Sequence, residues 1–370
     1  MERIGVLITI CLCCLCAIPV NAQETYDSFQ GTWRGKVLEI ISEEVKIIPG
    51  TDTQHVYQTV RFEALDGPKK GTYITAENDY IELGEGDTFF YDYSIYPDGS
   101  EIYNVVELDR KGSLIFLSII FVGVILAFGR WQGFRSLISL VVSFLALLYI
   151  LLPGILAGWN PLVASILVAS AILFVAIFFT HGFNKESCIA YGGTMVAVII
   201  TGLFAMFSVY ITHLTGFSDE ASIYLNFHTD GSLDFTALLL GAIIIGVLGI
   251  LDDIAITQVA VVSELYESNP GMDKKEVYKR ALRVGRDHVG ALVNTLVLAY
   301  TGASLPLLLF LYTSQSSTSI ILSTEIVATE IVRTIVGSVG LVLTVPIVTL
   351  LAVFCLNRSL TDMIRKSRKI

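Results

Sequence analysis

Two adjacent aspartates, Asp252 and Asp253, stand inside an apolar run from Ala237 to Val262 whose composition belongs in a lipid bilayer. A carboxylate at membrane depth costs about 2.5–3.5 kcal/mol on insertion scales, and such groups mark proton relays and ion pathways. A pair that takes up and releases a proton could drive a change in helix packing. Adjacent helical positions point in different directions. One carboxyl is therefore expected to face the next helix and the other a polar crevice. Thr257 and Gln258 extend the polar stripe by one turn. The following apolar run carries Asn294, Thr295, Tyr300, Thr301 and Ser304, with Tyr300 and Thr301 expected at the depth of the carboxylates. The last run offers Ser338 and Thr344. Asp252, Asp253, Thr257, Gln258, Asn294, Tyr300 and Thr301 are thus the candidate proton-relay or ion-binding set. The competing reading makes the aspartates packing glue, hydrogen-bonded to Tyr, Thr and Asn.

The elements that hold these residues follow from composition. The chain has 370 residues, 54% hydrophobic and 16% charged, with mean hydropathy +0.68. That fits an integral membrane protein. Seven apolar runs predict seven spans, near 113–129, 136–153, 161–180, 189–212, 236–262, 289–312 and 333–356. Basic residues fall in the turn 130–135, near Lys185, in the loop 263–288 and after Asn357. The intervening connections 154–160, 213–235 and 313–332 have none. This positive-inside pattern predicts a multi-pass plasma-membrane protein with a cytoplasmic C-terminus.

The rest of the chain is a different material. Residues 1–22 read as a secretory signal: Arg3, an apolar stretch from Ile4 to Ile18, then Val20-Asn-Ala22. An uncleaved first helix is the alternative. Residues 23–112 read as an extracytoplasmic all-β domain, a small barrel or sandwich. Its expected strands are Trp33–Ile41, His55–Phe62, Gly71–Thr75, Thr88–Ile95 and Glu101–Leu108. Turn signals separate them at Pro49-Gly50, Asp66-Gly67-Pro68, Gly84-Glu-Gly86 and Pro97-Asp98-Gly99. The formal net charge of −10 sits here, since residues 24–112 hold 18 Asp+Glu against 8 Lys+Arg. Residues 113–370 form the helical domain. Within it, 266–287 is expected to be a cytoplasmic amphipathic connector, lying on the inner leaflet or else an ordinary solvated helix, opened by an Asp273 cap and a Glu276 capping box.

Other constellations carry weaker signals. His213, Asp219, Glu220, His228 and Asp230 share one loop, but their spacing matches no metal site and reads as a hydrated acidic loop. Asp287 is expected to cap the sixth span. Glu330 and Arg333, three apart, are expected to pair. Cys188 and Cys355 remain after the signal and imply neither a disulfide framework nor a thiolate metal site. No cofactor or metal is expected. Nucleic-acid binding is not expected, because no basic face alternates with aromatics.

Four segments resemble the YibE/F family of multispanning membrane proteins: Gly246-Val-Leu-Gly-Ile-Leu-Asp-Asp-Ile-Ala-Ile-Thr-Gln258, Gly285-Arg-Asp-His-Val-Gly-Ala-Leu-Val-Asn-Thr295, Ala299-Tyr-Thr-Gly-Ala-Ser-Leu-Pro306 and Glu330-Ile-Val-Arg-Thr-Ile-Val-Gly-Ser338. The resemblance covers essentially the mature chain and implies little biochemistry. The layout of an Asp pair, a basic connector and two more spans is also similar to one half of resistance-nodulation-division exporters and of SecD/SecF. That likeness implies a module coupled to the proton-motive force, with Asp252 and Asp253 at the position of the relay pair. The exporters' relay lysine has no counterpart here, the exported domain is far smaller, and only one half is present. A homodimer or a second membrane subunit is therefore implied.

The leading expectation is a secondary transporter or transport-coupling module acting on an unidentified small molecule or ion. The alternative is a membrane assembly or scaffolding protein whose β domain binds partners. An enzyme is not expected: an intramembrane aspartyl protease needs carboxylates on two helices, and only one run has central ones.

Overall fold

The computed structural model describes residues 29–47, 54–96, 98–314 and 317–367, with side chains through Leu356. The expected signal at 1–22 and the Pro49-Gly50 turn lie outside the described residues. The chain forms two compact units, one ending at Ala127 and the other starting at Phe128.

The first unit contains five antiparallel-paired strands: β1 (Phe29–Ile47), β2 (Gln54–Ala64), β3 (Tyr73–Asn78), β4 (Thr88–Ile95) and β5 (Glu101–Leu108). All five expected strands form; β1 runs longer than the sequence indicated. Their order is β3-β2-β1-β4-β5, and the edges β3 and β5 approach within 8 Å. This is a partly open five-stranded barrel with the connectivity of an OB fold. Side-chain alternation builds it. Val60, Phe62 and Ala64 on β2, Ile74 and Ala76 on β3, and Phe89, Tyr91 and Tyr93 on β4 all turn inward. Two polar residues join that core fully bonded. The Asn78 Nδ2 donates to Gln58 Oε1 at 3.1 Å, and Gln58 exchanges bonds with the Leu83 backbone at 2.9 and 3.0 Å. Gly67, at φ +80°, lets a turn lie on the Trp33 indole; a Cβ there would stand 2.4 Å from the ring.

The helices are α1 (Lys111–Leu156), α2 (Pro161–His181), α3 (Lys185–Thr212), α4 (Glu220–His228), α5 (Phe235–Ser268), α6 (Lys274–Ala303), α7 (Leu305–Thr313), α8 (Thr318–Ser323) and α9 (Glu325–Ser367). Asn or Asp side chains open five of them. Asn160, Asn184, Asp219, Asp234 and Asp273 each accept a backbone N–H of the first turn. Among the described residues five helices are long and apolar enough to cross a membrane: α1, α2, α3, α5 and α9. The bent pair α6–α7, with 63° between its halves, makes a sixth. The expected spans 113–129 and 136–153 fall in one 46-residue run, α1, whose helix is broken at Arg130 (φ 46°, ψ −126°).

Close packing in the second unit depends on small residues. A Cβ on Gly193 would stand 2.8 Å from Val348, and one on Gly340 would stand 2.5 Å from Thr201. These two contacts make α3 and α9 antiparallel. One on Gly241 would stand 2.3 Å from Ser165, which holds α2 against α5. Gly337 meets Val247, and Thr349 meets Gln258, so α5 and α9 run parallel.

The segment 266–287 differs from expectation. It does not form a separate surface helix. After a short turn it becomes the first half of α6, which continues into the apolar run. Its apolar residues Val277, Ala281 and Gly285 are buried in the chain's own core rather than left for lipid. Asp273 caps the helix, accepting from Lys275 N at 3.1 Å, but Glu276 reaches forward to Arg280 at 2.6 Å instead of closing a capping box. Asp287 lies mid-helix and caps nothing, because α6 already begins at Lys274.

Candidate functional site

Asp234 starts α5, and 34 residues follow without a break. Asp252 and Asp253 lie halfway along, about 26 Å from its start at ~1.5 Å per residue. Leu251, Ile254 and Ala255 around them are buried. Asp252 is half-buried at the edge of that face, and Asp253 is exposed from the unit. Among the described residues neither carboxylate has a side-chain hydrogen-bond partner. The Thr257 hydroxyl donates to the Asp253 backbone carbonyl at 2.9 Å, not to the carboxylate.

Gln258 is buried and faces the last helix. The Thr349 hydroxyl donates to its Oε1 at 2.9 Å. Gly285 of α6 closes over the pair: a Cβ there would meet Gln258 Nε2 at 2.8 Å and Val345 at 2.5 Å. Three helices therefore converge at one polar contact, five to six residues from the aspartates.

Tyr300 is half-buried, and its hydroxyl points at Gly246, 3.3 Å from where a Cβ would stand. With Gly285 beside Gln258, this fixes α5 and α6 as antiparallel. The aspartates then lie level with residues 291–294, and Tyr300 lies about 9 Å further along at ~1.5 Å per residue. The expectation that Tyr300 and Thr301 share the depth of the carboxylates is corrected accordingly; Asn294 occupies that depth. Tyr300 instead lies within electrostatic reach of Glu330 and Arg333. Those two form the expected pair at 2.5 Å, each only about a quarter exposed (27% and 25%).

Asn294 and Thr301 are exposed, on the side of α6 turned away from the bundle. The structure thus divides the seven candidates. Gln258 belongs to a contact with Thr349, Tyr300 to one with Gly246, Thr257 to its own helix, Asp252 to the edge of the buried face, and Asp253, Asn294 and Thr301 to outward faces. Sequence reading missed Thr349. Its only sequence signal was a hydroxyl inside an apolar span. Ser338 and Thr329 on α9 keep buried hydroxyls without a partner among the described residues; Thr344 bonds its own helix at Gly340 O, 2.8 Å away.

The residues 213–235 divide into local roles. Asp219 caps α4, His213 ends α3 at φ 54°, and the His228 Nδ1 lies 3.1 Å from the Tyr224 carbonyl. Among the described residues no group of three or more His, Cys, Asp or Glu could hold a metal ion.

Apolar helices of membrane-crossing length, joined to a small β-barrel and carrying carboxylates midway along one of them, define a polytopic membrane protein. The family model described as "YibE/F-like protein" matches residues 117–358, and the chain belongs to that family. No curated protein and no solved structure matches it.

Proposed function

We propose that this YibE/F-like protein is a proton-coupled secondary transporter or transport-coupling module of the plasma membrane, not an enzyme. The supporting observation is the pair Asp252 and Asp253, midway along a 34-residue apolar helix, with no side-chain partner for either carboxylate among the described residues. A charge there is costly unless the site uses it. In this reading the pair takes up protons, and the Gln258–Thr349 and Gly246–Tyr300 contacts on either side sense the change in charge and shift α5 against α9 and α6. Seven spans follow from counting α1 twice, on either side of Arg130, and α6–α7 once. A cleaved signal leads the β-barrel outside, and the basic turns lie in the cytoplasm.

The test is ion flux in proteoliposomes under an imposed pH gradient. Wild type is expected to dissipate the gradient. Asp252→Asn and Asp253→Asn are each expected to lose that flux while still inserting as full-length protein. Full flux in both single variants would overturn the proposal. The exposure of Asp253 favours a second reading, a scaffolding protein whose partner covers that face. It predicts tolerance of both Asn variants and loss of function on deletion of residues 24–110.

A further inference from the structure

We propose that α6 pairs with α6 of a second copy of this chain, along an outward seam centred on Asn294. The inference rests on reading α6–α7 as a membrane span.

Asn294 stands nine residues beyond Gly285, about 180° around a helix of 3.6 residues per turn. Gly285 faces the bundle, so Asn294 faces away from it, exposed and without a hydrogen-bond partner among the described residues. Asp287 and Thr301, seven residues to either side, are also exposed. Gly290 and Val297 lie between them, again seven apart and exposed. A three-four alternation repeating every seven residues is the spacing of a helix–helix seam.

The glycines separate this face from the inner one. Gly285 is accounted for within the chain, by Val345 and Gln258, whereas nothing among the described residues lies within 4 Å of where a Gly290 Cβ would stand. A mid-helix glycine costs about 1 kcal/mol relative to alanine. One bordering a polar residue on an outward face permits a second backbone to approach.

The occupant follows from the hydrogen-bond inventory. A two-fold axis along the membrane normal keeps each residue at its own depth, so each meets its own copy. A carboxamide both donates and accepts, so Asn294 satisfies Asn294 of the second copy across that axis. At the end of the seam, Arg283 lies one turn before Asp287. Asp287 meets Asp287 of the second copy by the same rule, and the Arg283 side chains one turn away, also exposed, neutralise the two carboxylates.

The test uses full-length protein in lipid vesicles, with the native cysteines replaced. Single cysteines are introduced as Gly290→Cys, Val297→Cys and, as a control on an exposed face of α3, Leu203→Cys. Gly290→Cys has room for its side chain in the isolated chain. Oxidation is expected to give disulfide dimers at 290 and 297 but not at 203. Adding Asn294→Leu is expected to abolish them, and Asn294→Gln to restore them. Absent cross-links at 290 and 297, equal yield at 203, or yields indifferent to Asn294→Leu would each overturn the seam. The readout is independent of ion flux. Cross-linked dimers at 290 and 297 in a protein whose Asp252→Asn and Asp253→Asn variants keep full flux would sink the relay and leave the seam standing.

Discussion

Thr349 of α9 donates its hydroxyl to Gln258 of α5 across 2.9 Å, with both side chains buried. The same hydroxyl also lies 2.6 Å from its own helix at Val345 O. The shared proton fixes the parallel register of the two helices about one and a half turns from the aspartates.

Breaking one side of this bond should cost more than removing both. Thr349→Val keeps the shape and leaves the Gln258 oxygen buried without its donor, an expected loss of about 1–3 kcal/mol. Thr349→Val combined with Gln258→Leu removes the unmet acceptor and should recover part of that loss. Unfolding of the detergent-solubilised protein measures both. Equal stability of Thr349→Val and wild type would show that the bond fixes nothing.

Gly285 predicts a steric counterpart. Gly285→Ala would set a methyl group 2.5 Å from Val345 and 2.8 Å from Gln258, so one of them must move. Overpacking of this kind costs about 1–3 kcal/mol, and Val345→Ala should relieve it. Gly192→Ala on α3 is the control, since nothing lies within 4 Å of its added carbon. It should be neutral or stabilising by up to about 1 kcal/mol. Thermal unfolding of the three variants separates the cases.

Much of this was legible in the sequence. Alternating apolar residues between Asp-Gly and Pro-Gly turns marked all five strands, because a two-residue period needs no distant information. Apolar length marked the spans, and Asp273 marked the start of α6. Direction was harder to read. Which neighbour Gln258 faces depends on the rotation of three helices about one another, set by where Gly285, Gly337 and Gly340 allow close approach. The burial of Val277 and Ala281 is not legible in the sequence, because one amphipathic pattern suits a membrane surface, a solvated helix and a protein core alike. The break at Arg130 falls inside the expected turn 130–135, where basic residues interrupt the apolar run.

The barrel's closure should respond to acid. Glu101 on β5 accepts from Lys69 at 2.5 Å, Tyr103 at 2.5 Å and Tyr93 at 2.8 Å, joining the β2–β3 turn to the far edge. The Lys69 bond, followed by the two phenols, holds the Glu101 carboxyl down at about 2. A depressed folded pKa means that its contribution is complete above the ordinary glutamate range and is lost as pH falls from about 4.5 toward 2. Unfolding midpoints followed by Trp fluorescence should decline over that window in wild type and less steeply in Glu101→Gln. Parallel declines would exclude Glu101 as the responsible group.

Glu325, the first residue of α9, gathers the segment that follows α3. Its carboxylate accepts from Thr215 N and Thr215 Oγ1 at 2.8 Å and from Gly216 N at 2.7 Å. Gly216 sits at φ +92°, with the Phe235 carbonyl 2.2 Å from where a Cβ would stand, so the chain passes here only as glycine. The turn is thereby pressed onto the start of α5 and tied to α9 by bonds to one carboxylate. Glu325→Ala removes every acceptor at once, whereas Glu325→Gln retains one carbonyl oxygen. Hydrogen exchange of the Thr215 and Gly216 amides should accelerate by about tenfold or more in Glu325→Ala, equivalent to roughly 1.4 kcal/mol of lost local protection. Glu325→Gln should fall between that and wild type. Unchanged protection in Glu325→Ala would mean that Gly216 and Phe235 hold the turn by packing alone.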